Sequence, residues 1–170
     1  MSQLKVDSII PRGGIPSGAE GGGIIQTVFE MVTGDFSTSN DDAYNDITGM
    51  SATITPSSSS SKILITVCMT HNVSSNSNIL FRLIRGSSTT LGNYTGSLSG
   101  VGTSGAAIAG GKYDAARGNP TTFKFLDSPS TTSATSYKIQ EYHNAGTFTL
   151  NGLSGNFVGS SSITLQEVSG

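Results

Sequence analysis

Twice in this chain a strand-like run meets a proline, crosses a stretch made almost wholly of serine and threonine, and resumes as an aliphatic strand. The first passage runs Ile54-Thr55-Pro56, then serine at every position of 57–61, then Lys62-Ile63-Leu64-Ile65-Thr66-Val67. The second runs Phe125-Leu126-Asp127-Ser128-Pro129, then residues 130–136, then Tyr137-Lys138-Ile139-Gln140. Proline has no N–H to give to a central ladder, so it ends each first strand. Short hydroxyl side chains keep the link hydrated without adding charge. The two passages predict surface hairpins on an all-β body, and neither brings a reactive group with it.

The rest of the chain repeats this grammar. Strand-like runs cover 24–32, 47–56, 62–70, 79–85, 121–126, 136–142, 147–150 and 162–168. The run at 62–70 is the most apolar and is expected to be central. Thr48-Gly49 marks a bulge early in the strand that contains it. In 136–142, Tyr137, Ile139 and Glu141 alternate with Lys138, Gln140 and Tyr142. In the last run Ile163, Leu165 and Glu167 alternate with Thr164, Gln166 and Val168. Residues 36–45 read as a polar loop, and 92–111 as a Gly/Ser/Ala stretch without a clear period. No window of helical length repeats its apolar residues every 3.6 positions. Short strands joined by turns at this spacing predict an antiparallel, jelly-roll-like β-sandwich.

Composition supports a folded chain. Hydrophobic residues make up 35% and charged residues only 12%, with a net charge of −2. Disorder usually joins low hydrophobicity to high charge, which is not the combination here. Serine and threonine instead cover the outer faces. There is no basic stripe with interleaved aromatics, which argues against nucleic acid as a partner. No apolar run is long enough for a membrane span and no signal peptide opens the chain, so synthesis in a cytoplasm is expected. Cys68 is the single cysteine. Within Ile65-Thr66-Val67-Cys68-Met69 it reads as a small buried hydrophobe.

Residues 1–23 differ from the body, 24–170. Leu4, Val6, Ile9 and Ile10 form a short strand-like set, and Arg12 and Ile15 follow among prolines and glycines. Such a mixture makes neither a helix nor a packed strand beyond its first few residues. It reads as a docking arm on a Gly/Pro-rich tether, with a disordered tail as the alternative. The small side chains of 87–119 suit close approach between chains, and self-association is expected.

Catalytic chemistry has no foothold in the pattern. His71 and His143 are the only histidines, and they lack metal-ligand spacing. Cys68 and His71, three apart in a strand, point to opposite faces. There is no Gly-x-Ser-x-Gly elbow. Gly100-Val101-Gly102-Thr103-Ser104-Gly105 lacks the strand-to-helix setting of a dinucleotide site. Asp35, Asp41, Asp42 and Asp46 miss the calcium-loop spacing and read as a solvated turn. No pair of carboxylates is set to flank a glycosidic bond. Asn72-Val73-Ser74 and Asn93-Tyr94-Thr95 are glycosylation triplets of the kind a Ser/Thr-rich chain produces by chance. Tyr44, Tyr94, Tyr113, Tyr137 and Tyr142 offer a carbohydrate-contacting face as an alternative to ordinary strand duty.

The residues also carry a resemblance. The opening Leu4-Lys5-Val6-Asp7-Ser8-Ile9-Ile10-Pro11-Arg12-Gly13-Gly14-Ile15-Pro16-Ser17-Gly18 looks like the start of many marine, cyanophage-like bacteriophage virion proteins of the tail-fibre or structural type. Asp46-Ile47-Thr48-Gly49-Met50, Phe81-Arg82-Leu83-Ile84-Arg85-Gly86 and Ser162-Ile163-Thr164-Leu165-Gln166-Glu167-Val168 are similar to later segments of that group, as are both Pro–Ser/Thr passages. The chain departs from the group at 91–111, where relatives carry a polar Gly-Asp loop. The resemblance implies a location on the virion and no catalytic, cofactor or metal residues. It implies a homotrimeric tail fibre or appendage, anchored to other virion proteins by Leu4, Val6, Ile9, Ile10, Arg12 and Ile15, with host surface glycan as a partner of the loops. A capsid decoration protein is the alternative, and a small polysaccharide depolymerase a remoter one.

Overall fold

The computed structural model describes residues 23–94, 107–115, 117–153 and 157–170. These residues form an all-β, antiparallel sandwich. Its longer strands are β1 (Ile24–Val32), β3 (Tyr44–Ile54), β4 (Lys62–Val73), β5 (Ser77–Arg85), β7 (Ala109–Tyr113), β8 (Asn119–Asp127), β9 (Thr135–His143) and β13 (Ser161–Val168). Shorter pieces are β2 (Phe36–Thr38), β6 (Thr89–Leu91), β10 (Phe148–Leu150), β11 (Gly152–Leu153) and β12 (Phe157–Val158).

One sheet runs β1–β13–β4–β8, with β10 continuing the β13 row along β4 and β2 beside β10. The other runs β3–β9–β5–β7, with β6 beside the end of β5. Neighbours in each row are far apart in sequence, as two interwound Greek keys require. This is the strand order of a jelly roll.

Alternation builds the core. Ile63, Ile65, Val67 and Met69 of β4 point inward, as do Ile163 and Leu165 of β13. From the second sheet they meet Met50, Ile54, Ile79, Phe81, Leu83, Tyr137 and Ile139. The strand at 62–70 is central, as its composition predicts.

The same alternation corrects the reading of Cys68, which is exposed rather than buried. It falls on the even-numbered, outward set of β4, so its apolar sequence neighbours Val67 and Met69 face away from it. The bulge expected at Thr48-Gly49 is present. Asp46 opposes Gln140 and Ser51 opposes Lys138, so the residues between them crowd opposite Ile139 alone. This irregularity lets Ile47 and Met50, three apart, both enter the core. Gly49 turns it at φ +88, with the Val32 side chain where a Cβ would sit, 3.2 Å away. Residues 36–45 are not wholly loop, because Phe36–Thr38 pairs with β10.

The two Pro–Ser/Thr passages are not hairpins. The first leaves β3 in one sheet and enters β4 in the other. The second leaves β8 and enters β9, crossing the opposite way. Both are arches over the same end of the sandwich. Sequence alone cannot separate the two cases, since a strand, a turn and a strand look alike whether the second pairs with the first or crosses to the facing sheet.

Candidate functional site

The arch end is built around two buried carboxylates. Glu167, on the inward set of β13, is fully enclosed. Its Oε1 accepts the backbone N–H of Ser57 at 2.7 Å and the Ser57 hydroxyl at 2.6 Å. Its Oε2 accepts Gln26 Nε2 at 2.6 Å, and Gln26 Nε2 also donates to the carbonyl of Thr55 at 2.7 Å. One side chain therefore ties β1, β13 and the first arch together. The Ser57 hydroxyl, followed by burial acting the other way and then by Gln26 and the Ser57 N–H, holds the Glu167 pKa down to about 2.

Asp127 ties together the strands that flank the second arch. It is the last residue of β8 and is buried. Arg85 Nη1 donates to both of its oxygens at 2.9 Å, and the Tyr137 hydroxyl donates to Oδ2 at 2.7 Å. Burial first, and then the bond to Asp127, raise the Tyr137 pKa. Gly86 N donates to the carbonyl of Ser136, closing β5 onto β9. A groove runs between these segments, lined by Arg85, Ser87, Thr89, Pro129, Thr131 and Ser136. The chain enters the sandwich at this same end, where Ser169 N donates to the carbonyl of Gly23 at 3.1 Å.

At the opposite end the aspartates are partnered one by one. Asp42 Oδ1 accepts the Tyr142 hydroxyl at 2.7 Å. Asp46 accepts Lys138 Nζ at 2.8 Å and Gln140 Nε2 at 2.5 Å, and Lys138 leads in lowering its pKa. Among the described residues no three acidic, histidine or cysteine side chains gather where they could hold a metal ion. Asp35, Asp41, Asp42 and Asp46 are all exposed, as the expected solvated turn requires, with Asp42 and Asp46 bonded to β9.

Two buried histidines lie behind it. His143 Nδ1 meets Glu141 Oε2 at 2.9 Å, both side chains being fully enclosed. His71 Nε2 meets Thr121 Oγ1 at 2.9 Å. Phe148 stacks against both rings, at 5.8 Å from His71 and 6.4 Å from His143. His71 Nδ1 and His143 Nε2 have no hydrogen-bond partner. Burial lowers the His71 pKa to about 4. Burial is the largest influence on His143 and opposes its charge, but the bond and charge of Glu141, with the Gly146 backbone and the Asp41 charge, together outweigh it, and the His143 pKa is raised. Cys68 and His71 lie on opposite faces of β4, as their spacing predicts.

The five tyrosines do not make one exposed face. Tyr137 is in the core and Tyr113 packs against it. Tyr44 and Tyr142 pair at 5.6 Å on the outer side of the second sheet, with the Arg82 guanidinium 3.8 Å above the Tyr44 ring. Tyr94 alone is well exposed. Alternation and the arches send the tyrosines to three different surroundings. Asn72 of the first glycosylation triplet is buried, its Oδ1 accepting from Val73 N.

Leu4, Val6, Ile9, Ile10, Arg12 and Ile15, and the glycine run 100–105, lie outside the described residues. The sequence reading did not single out Glu167, Asp127, Arg85 or Gln26. The available signal was an acid on an inward-facing set, as Glu167 is after Ile163 and Leu165.

No family model matches the chain, and no curated protein matches it. Among solved structures it is similar to chains from two structures of infectious bursal disease virus. For the Gx strain the identity is 13% and the TM-score 0.44; for the Gt strain they are 14% and 0.45. Each match covers 98% of this chain and 44% of the viral one, so the chain spans less than half the length of those neighbours.

Proposed function

We propose that this chain is a virion structural protein with no catalytic step: a jelly-roll head held on a virus particle through its N-terminal segment. The step from fold to virion is one of analogy. Its support is the sequence resemblance to marine bacteriophage tail-fibre and structural proteins. The observation that carries the docking reading is the arch end. Both arches and the point of chain entry share it, with Glu167 holding the first arch and Asp127 the strands that flank the second. A segment entering there is fastened to a preformed base. The arches then face the particle, and the loops at the opposite end face away, toward the host in a tail-fibre or appendage role.

Leu4, Val6, Ile9 and Ile10 are the anchor residues in this reading, adding a strand to another virion protein. Arms from several copies gain together what one contact lacks. Serine at all four positions should abolish binding of the full-length protein to purified particles while leaving its melting temperature unchanged. Retained binding would refute the anchor. Gold labelling of the chain on intact particles should mark appendages; labelling spread evenly over the shell would make it a shell-decorating protein instead.

A further inference from the structure

We propose that the free edge of β1 and the apolar side chains beside it are the contact between two copies of this chain, made by antiparallel pairing of β1 with β1. Only one edge of this strand is used in the sandwich, where it pairs with β13; among the described residues nothing pairs with the other. An open edge is a template for another strand, and proteins blunt it with lysine, proline or a very short strand. Ile24–Val32 carries no lysine or proline and is nine residues long; its single charge is Glu30, and its one irregularity, the bulge between Ile24 and Gln26, lies at its first end.

Its side chains point the same way. Ile25 is 49% exposed, Phe29 54% and Met31 57%. Phe29 continues across the outer face of its sheet as Thr164, Thr66 and Lys124, and Met31 continues as Ser162, Cys68 and Thr122. The apolar bulk of these rows is therefore at the β1 margin, with small uncharged side chains behind it. Lys62 and Lys124 lie on β4 and β8, beyond β13, where two joined margins do not bring them together. A two-fold pairing centred on Val28 uses the regular part of the strand, beyond the bulge at Ile25. It sets Phe29 beside Thr27 of the second copy with Met31 and Ile25 at its margins, and it places Glu30 against Gln26 rather than against another acid. An uncharged, apolar edge that matches itself in this way fits a second copy better than a glycan or nucleic acid. Such a contact closes as a pair. It differs from the trimer expected from the sequence, and it is independent of the virion reading.

Sedimentation of the full-length protein should show a dimer at concentrations up to about 100 μM. Phe29→Lys and Met31→Lys alter side chains that are already exposed, so the melting temperature should hold. Each should weaken association at least about tenfold. Leu126→Lys, on the opposite margin of the same sheet and 50% exposed, should leave association unchanged. Cys68 should stay reactive to maleimide in the dimer, because edge pairing leaves the face open. A monomer throughout, a trimer, or dissociation by Leu126→Lys would overturn the proposal. So would protection of Cys68, which means face-to-face packing. Dissociation by serine at Leu4, Val6, Ile9 and Ile10 would also overturn it, placing the N-terminal segment on the edge instead.

Discussion

The two ends of the sandwich bury different ionisable groups, Glu167 and Asp127 at the arch end and His71 with the His143–Glu141 pair at the other. At the arch end Glu167 and Asp127 have each oxygen bonded, by Ser57 of the first arch and by Gln26, Arg85 and Tyr137 of the strands around it. At the other end His71 and His143 each keep one enclosed nitrogen without a partner. A saturated buried carboxylate fixes a connection as long as it stays ionised. A buried imidazole that burial keeps neutral, as at His71, loses stability as pH falls toward its folded pKa of about 4. The carboxylates of the arch end should therefore hold to lower pH than the surroundings of His71.

The largest effect should come from Asp127→Ala. It strips Arg85 of its ion pair and leaves the Tyr137 hydroxyl buried and unpaired, so unfolding in urea should show a loss of about 4 kcal/mol. A loss below about 1 kcal/mol would remove the distinction between the ends. Next is the acid limb. His71 has a folded pKa near 4 against about 6.5 unfolded, so the unfolded chain takes up the proton first. Its stabilising contribution is complete above pH 6.5 and falls progressively toward pH 4, by up to about 3 kcal/mol. His71→Phe should flatten that limb of a stability–pH curve; an unchanged slope would show that the histidine end does not respond as described.

His143 acts in the other direction. Its raised pKa gives stability that is complete below pH 6.5 and lost as pH rises through the folded value. Glu167 answers to a lower window: its contribution is whole above its ordinary pKa near 4.5 and disappears as pH falls toward 2. Hydrogen exchange at pH 4 should thus find the amides around His71 and Phe148 opening before those around Ser57, and the reverse order would break the comparison. Gly49→Ala, which forces a side chain into a left-handed backbone against Val32, should cost about 1–2 kcal/mol by thermal denaturation. The smallest effect belongs to Asp46→Asn. Its partner Lys138 and Asp46 itself are solvent-accessible, and the loss should stay below about 1 kcal/mol.

Period-two alternation carried most of the fold into view from the sequence: the central strand at 62–70, the bulge at Gly49 and the inward sets of β9 and β13. It did not reveal which strands pair. Ile54-Thr55-Pro56 and the strand after it read as a hairpin because local chemistry records a turn, whereas partner choice is set by packing between sheets. Cys68 was misread for a related reason. Hydrophobic neighbours along a strand belong to the opposite face, so an apolar run says little about the residue in its middle. The buried acids were partly legible, since Glu167 and Glu141 continue apolar sets. Their partners Gln26, Ser57 and His143 are brought by tertiary structure, and no spacing announces them.

Gly23 and Ser169 lie within one hydrogen bond of each other, with β1 and β13 side by side between them and the far end. A unit whose entry and exit are adjacent can be set into a surface loop of another polypeptide without prying that loop apart, and its first and last strands zip each other shut as soon as both exist.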